Sequence, residues 1–257
     1  MLNSGSVNPL LGQYAHLLSE AGVAGSRTSH GAENNLRKIS LLLEHDESNT
    51  FGMEDLLRDV EFEEAYDAVA LQIGNPPDRE ENRGRGCIDP ARTAAGLVEA
   101  GEQIEAVAGS GGRLIFATGH PGALILYYLG LARWAQELGG DVLSVETRGL
   151  FERGVSLDWA ESVAALGDGA SLFHTHDSEP MRDVLRQTGA VDLVVADHGF
   201  AGAAIAAGIP TVVVMDTNDP AFAVVAGRRA DVTVVPMDDN RPLNSYSTVL
   251  DVVRRGA

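Results

Sequence analysis

Four of the seven histidines stand in short polar turns that follow aliphatic runs. His120 lies in Thr118-Gly119-His120-Pro121-Gly122, His174 and His176 in His174-Thr175-His176-Asp177-Ser178, and His198 in Asp197-His198-Gly199. Two later turns, Asp216-Thr217-Asn218-Asp219 and Asp238-Asp239-Asn240-Arg241, add carboxylates. An imidazole beside a carboxylate exchanges protons near neutral pH, and the same groups with water hold Mg²⁺, Mn²⁺ or Zn²⁺. Gly, Asp and Asn are also ordinary in turns between strands and helices, because they tolerate unusual φ angles and cap the next helix. Four histidines on one edge exceed what turn chemistry asks for. His120, His174, His176 and His198 are therefore the candidate catalytic groups, and Asp197 and Asp216 the candidate ligands of a divalent cation.

Anion binding has its own candidates. Gly119 and Gly122 flank His120-Pro121 at the start of a long helical stretch, where backbone N–H groups and the helix dipole attract phosphate. Ser178-Glu179-Pro180 has the form of an N-cap followed by a first-turn proline, which puts His174 and His176 just before a second helix N-terminus. On extended backbone both side chains of a His-x-His pair point to the same side. Asn218 adds an amide in a later turn. In the N-terminal half, the polar helix opening Ser29-His30-Gly31-Ala32-Glu33-Asn34-Asn35-Leu36-Arg37 offers Asn35 and Arg37 as substrate contacts folded over the same edge, with capping and solvation as the competing explanation. The sequence has no P-loop, GxGxxG, HExxH or GxSxG signature.

These turns need elements to hold them on one rim. From Gly111 onward the pattern predicts strands over 114–118, 141–145, 170–174, 192–196, 211–215 and 231–235, with helices over 123–138, 179–187, 202–207 and 244–255. Strands alternating with helices imply a mostly parallel sheet wound on both faces, and LVVA and TVVVM suit strands buried on both sides. Ligands of such sheets bind beyond the carboxyl ends of the strands, where these turns collect. Residues 1–110 instead suggest helices over 33–43, 53–73 and 90–107, with no convincing strand. Residues 74–86, rich in Pro, Gly and charge, look like a mobile loop. The expected fold class is α/β: a mostly parallel, doubly wound, Rossmann-like core over 111–257 with an N-terminal helical cap over 1–110.

Composition narrows the function. At 257 residues the chain can bury a substantial core, and 44% hydrophobic with 22% charged residues is ordinary for a soluble globular protein. No apolar run is long enough to span a bilayer, and the N-terminus lacks a signal-peptide pattern, so a cytoplasmic location is expected. The single cysteine, Cys87, excludes a disulfide framework and a Cys-rich zinc site. A net charge of −18 repels nucleic acid and anionic lipid. It also repels an anionic small substrate, unless helix N-termini, arginines or a bound cation reverse the field locally. A homodimer is the default assembly.

The motifs ENN, IDP, ATGHPGAL, GASLFHTHDSEPM, DLVVADHGFAGAAIAAGIPTVVVMDTNDPA and VVPMDDNRP together resemble a family of actinobacterial cytosolic proteins that carry the label phosphatase. The resemblance runs from about Glu33 to Asn240. It places His120, His174, His176, Asp197, His198, Asp216, Asn218 and Asp219 in motif positions without assigning their roles. The expected function is hydrolysis of a small phosphorylated metabolite, with phosphate at the GHPG turn and the Ser178 helix N-terminus. Asp197 and Asp216 would hold a cation or orient water, and His198 or His176 would serve as general acid or base. A sugar-phosphate isomerase or lyase, or a metabolite sensor without turnover, are the alternatives.

Overall fold

The computed structural model describes residues 10–75, 79, 83–146 and 154–256. Its frame is one sheet of eight strands: β1 (Arg113–Ala117), β2 (Asp141–Val142), β3 (Ser156–Ala160), β4 (Val163–Gly167), β5 (Leu172–Phe173), β6 (Leu193–Asp197), β7 (Thr211–Met215) and β8 (Val232–Pro236). The main order is β3-β4-β1-β6-β7-β8. Strands β4, β1, β6, β7 and β8 run parallel, β2 pairs in parallel with the start of β1, and β3 and β5 are antiparallel to β4. The chain builds outward from β1 on one side and then returns to lay β6 on the other. The switch point falls between β1 and β6.

Alternation along each strand divides the core. Ile115, Ala117, Val194, Ala196, Val213 and Met215 face one cluster, while Leu114, Phe116, Leu193, Val195, Val212 and Val214 face the other. The first cluster is covered by α2 (Ala32–Leu43), α4 (Phe62–Ile73), α7 (Glu179–Thr188), α8 (His198–Ala206) and α9 (Pro220–Arg228). The second is covered by α1 (Leu11–Ala21), α5 (Pro90–Gly109), α6 (Pro121–Glu137) and α10 (Ser245–Gly256). The α/β, mostly parallel, doubly wound expectation holds, and the helices of the first 110 residues serve both faces. Among the described residues no helix is long and apolar enough to cross a membrane.

Several boundaries differ from the sequence pattern. The β3–β4 hairpin has no counterpart in it, because Val-Ala-Ala-Leu-Gly is a fully buried strand whose small residues show no alternation. The strand expected over 170–174 shrinks to the edge pair Leu172–Phe173, and β4 takes the place beside β1. Residues 53–73 do not form one helix: a 3₁₀ turn at Glu54–Leu56 precedes α4. Helices α1 and α9 are additional, and α3 (Glu47–Thr50) is a single turn ending in Phe51 and Gly52, both at positive φ. Within the loop expected over 74–86, residues 76–78 and 80–82 lie outside the described residues.

Candidate active site

The candidate catalytic residues collect at the switch point. Asp197, fully buried at the end of β6, accepts three hydrogen bonds: from the Gly119 N–H at 2.7 Å and His198 Nδ1 at 2.7 Å on Oδ1, and from the Thr118 hydroxyl at 2.7 Å on Oδ2. It ties the ends of β1 and β6 together and fixes His198 with Nε2 facing outward. His198 opens α8 at φ 46°, a left-handed conformation that costs an ordinary residue about 1 kcal/mol. The turn is tight because Gly199 lies against the carbonyls of His176 and Asp177, where a Cβ would collide.

Four imidazoles meet here, as their positions in the turns predict. His120 and His174 stack with centroids 4.4 Å apart and planes 6° from parallel. His198 lies 5.0 Å from the His174 ring and 4.7 Å from that of His176. His176 donates from Nδ1 to the Ser48 carbonyl at 2.5 Å and packs on Phe51, so the α3 turn sets its orientation. A cavity of about 230 Å³ is lined by His30, His120, His174, His176, His198, Asn218, Asp239 and Asn240. His174 and His176 also border a wider groove of about 950 Å³, whose wall includes Glu47, Glu54, Asp177, Ser178, Glu179 and Arg182.

Carboxylates crowd the other side. Asp216, Asp219 and Asp239 are all buried at the ends of β7 and β8. Among the described residues, three sets of side chains offer ligand atoms within 4.8 Å of one another: His120, His174 and His198; His198, Asp219 and Asp239; and His30, Asp216 and Asp239. Mixed imidazole and carboxylate donors suit Mn²⁺ or Zn²⁺ better than Mg²⁺, which prefers oxygen and water. Burial and the charges of Asp239 and Asp238 push the Asp216 pKa well up, and burial pushes Asp219 to about 6 against the pull of His198. Buried acids that resist ionising together are what a cation would relieve, so this donor set fits a metal.

The histidines divide in the same field. Burial opposes charge on His198, but the Asp197 hydrogen bond and the charges of Asp197, Asp239 and Asp219 outweigh it and raise the pKa to about 9. His120 is raised despite burial, through Asp239, whose Oδ2 stands 3.4 Å from Nδ1. Burial and the charges of His198 and His120 lower His174 to about 4, and burial with His198 lowers His176 to about 3.

The remaining sequence candidates are scattered around this centre. Asn218 lines the cavity. Asp197 has its oxygens engaged and belongs to none of the three ligand sets, whereas Asp216 belongs to one. The Gly119 amide goes to Asp197 and that of His120 to the Thr118 hydroxyl. Gly119 also packs against the Thr175 carbonyl, where a Cβ would collide. Gly122 sits in open space in the first turn of α6, and Ser178 borders the outer groove. Asn35 is buried and accepts from the Thr217 hydroxyl at 3.1 Å, while Arg37 is exposed and borders neither cavity.

Beyond Asp219, which the sequence placed in a motif without a role, His30, Asp239, Asn240 and Lys38 escaped the sequence reading as site residues. His30 and Asp239 stood in motifs already noted for their polarity. Lys38 donates to Asn49 Oδ1 at 2.8 Å, and its charge is felt by His30, His176 and Asp219. It is the only lysine in the chain, beside 18 arginines, and that count was its signal.

The fold is a mostly parallel open α/β sheet, and its convergent His/Asp cluster lies at the switch point, where ligands of such sheets bind. A sequence profile of the family described as Phosphatase matches residues 12–255, and the chain belongs to that family. It is 34% identical over 215 residues, 81% of each chain, to the Streptomyces coelicolor protein named Phosphatase SCO2771. The resemblance and the reaction class expected from the sequence are borne out.

Proposed function

We propose that the protein is a cation-assisted phosphomonoester hydrolase for a small metabolite, working in the cavity lined by His30, His120, His174, His176, His198, Asn218, Asp239 and Asn240. The overlapping His/Asp ligand sets on that cavity carry the reading. A bound cation would screen the carboxylates, polarise the phosphoryl group and acidify a water. His198, Asp219 and Asp239 would hold it, with Asp197 orienting His198 rather than binding metal. Lys38 adds positive charge on the side of α2.

The chain's own groups then divide the proton traffic. Water oxygen bonds to phosphorus as the bond to the leaving oxygen breaks. His120, whose pKa is raised through Asp239, gives its proton to that oxygen. Its loss removes one of the charges that hold His174 neutral, and His174 takes the proton of the water. The four carboxylates Glu47, Glu54, Asp177 and Glu179 on the outer groove, against Arg182, favour a neutral or cationic leaving group over one bearing further phosphates.

Phosphate release from a panel of sugar, amino-alcohol and nucleotide phosphates, by protein stripped with EDTA and reloaded with Mn²⁺ or Zn²⁺, tests this. Release is expected only with metal, to be lowered about 100-fold or more in His198→Ala, and to favour monoesters of small alcohols. No release under any metal, or release indifferent to His198, overturns the proposal.

A further inference from the structure

We infer that the centre takes two divalent cations, the second held by His30, Asp216 and Asp239, with Asp239 shared between them. This rests on the cation-assisted reading above and extends it to a site on the N-terminal segment. Asp239 belongs both to the set with His198 and Asp219 and to the set with His30 and Asp216, and its two carboxylate oxygens allow it to serve both.

Asp216 supplies the second, independent sign. Its Oδ1 accepts the Thr217 N–H at 2.6 Å, but its Oδ2 is buried with no hydrogen-bond partner, in a side chain with no exposed surface. A carboxylate oxygen left so is costly unless something positive faces it. His30 Nε2 stands 3.4 Å away. That is longer than an N–H···O bond of about 2.9 Å. It matches the edge, about 3.3 Å, between two ligands bound at about 2.0 Å to one tetrahedral ion. His198 Nε2 to Asp239 Oδ2, at 3.5 Å, repeats the spacing at the first site.

The scaffold holds these ligands in place from both sides. Ser29, just before His30, donates its N–H and hydroxyl to Asp238, just before Asp239, at 2.7 and 2.8 Å. Two ligands far apart in sequence are thus joined through their neighbours. Asn34 Nδ2 lies 3.3 Å from His30 Nδ1, and a flip of that amide, which sets its oxygen to accept from an Nδ1–H, leaves the Nε2 lone pair for the ion.

Titration of EDTA-stripped protein with Mn²⁺, followed by metal content per chain and electron paramagnetic resonance, tests the assignment, with circular dichroism to confirm folding. Wild type is expected to bind two Mn²⁺ with an exchange-coupled signal. His30→Ala, His30→Gln and Asp216→Asn should each bind one and give an isolated Mn²⁺ signal, and Asp239→Asn should lose the coupling. One or no Mn²⁺ in wild type, two uncoupled ions, or two in folded His30 variants would overturn it. Phosphate release measured alongside separates the two ideas. Coupled ions without hydrolysis would retire the hydrolase and leave the site; hydrolysis with one ion per chain would retire the second site alone.

Discussion

His120 and His174 show how two like residues acquire opposite characters a few ångströms apart. Their rings are stacked, yet Asp239 sits beside one and the charges of its neighbours bear on the other. A proton donor matters most when the leaving oxygen is a poor leaving group. In His120→Asn, hydrolysis of an alkyl phosphate should fall about 100-fold while that of p-nitrophenyl phosphate falls only a few-fold, as read from kcat on each ester. Equal losses on both esters would deny His120 the donor role.

At the scale of elements, the site depends on a close seam between the start of α8 and the His174–Asp177 turn. Gly199→Ala would drive a methyl group into the His176 and Asp177 carbonyls and part this seam. The variant should lose about 1–3 kcal/mol in urea unfolding and should move His176 off the Ser48 carbonyl, visible as a shifted imidazole resonance. Unchanged stability and an unchanged resonance would show the seam to be slack. The sequence made most of the rim legible, because β1, β6, β7 and β8 are aliphatic runs followed by polar turns that announce themselves. It hid β4, whose small buried residues carry no period, and with it the hairpin that β4 forms with β3. His30 was hidden for a different reason: tertiary contacts, among them the pairing of Ser29 with Asp238 and the Gly86 N–H on the His30 carbonyl, bring it to the rim, and nothing local encodes them.

For the molecule as a whole, the same histidines set a pH window. Folded His174 and His176 resist protons that the unfolded chain accepts near the free value of 6.5, so the stability they confer is full above 6.5 and falls as pH drops towards 4 and 3. His198 behaves oppositely. Its raised pKa contributes stability that is full below 6.5 and is lost as pH rises through about 9. Below pH 6 the raised carboxyls of Asp219 and Asp216 oppose these two histidines, so metal-free protein should change little in stability there and should lose it above 6.5, with the buried His198 alone giving an alkaline slope of up to about 1.4 kcal/mol per pH unit. Denaturant unfolding across pH 4–9 measures this, and a stability that climbs steadily to pH 9 would contradict the assignment of His198.

The stitch between Ser29 and Asp238 reaches further than the site. It draws together segments separated by most of the polypeptide, so a chain still emerging from the ribosome owns neither a finished set of donors nor the cavity they line. Until the residues beyond β8 are made and folded back, the growing protein lacks Asp239 and Asn240, and the cavity they line is unfinished.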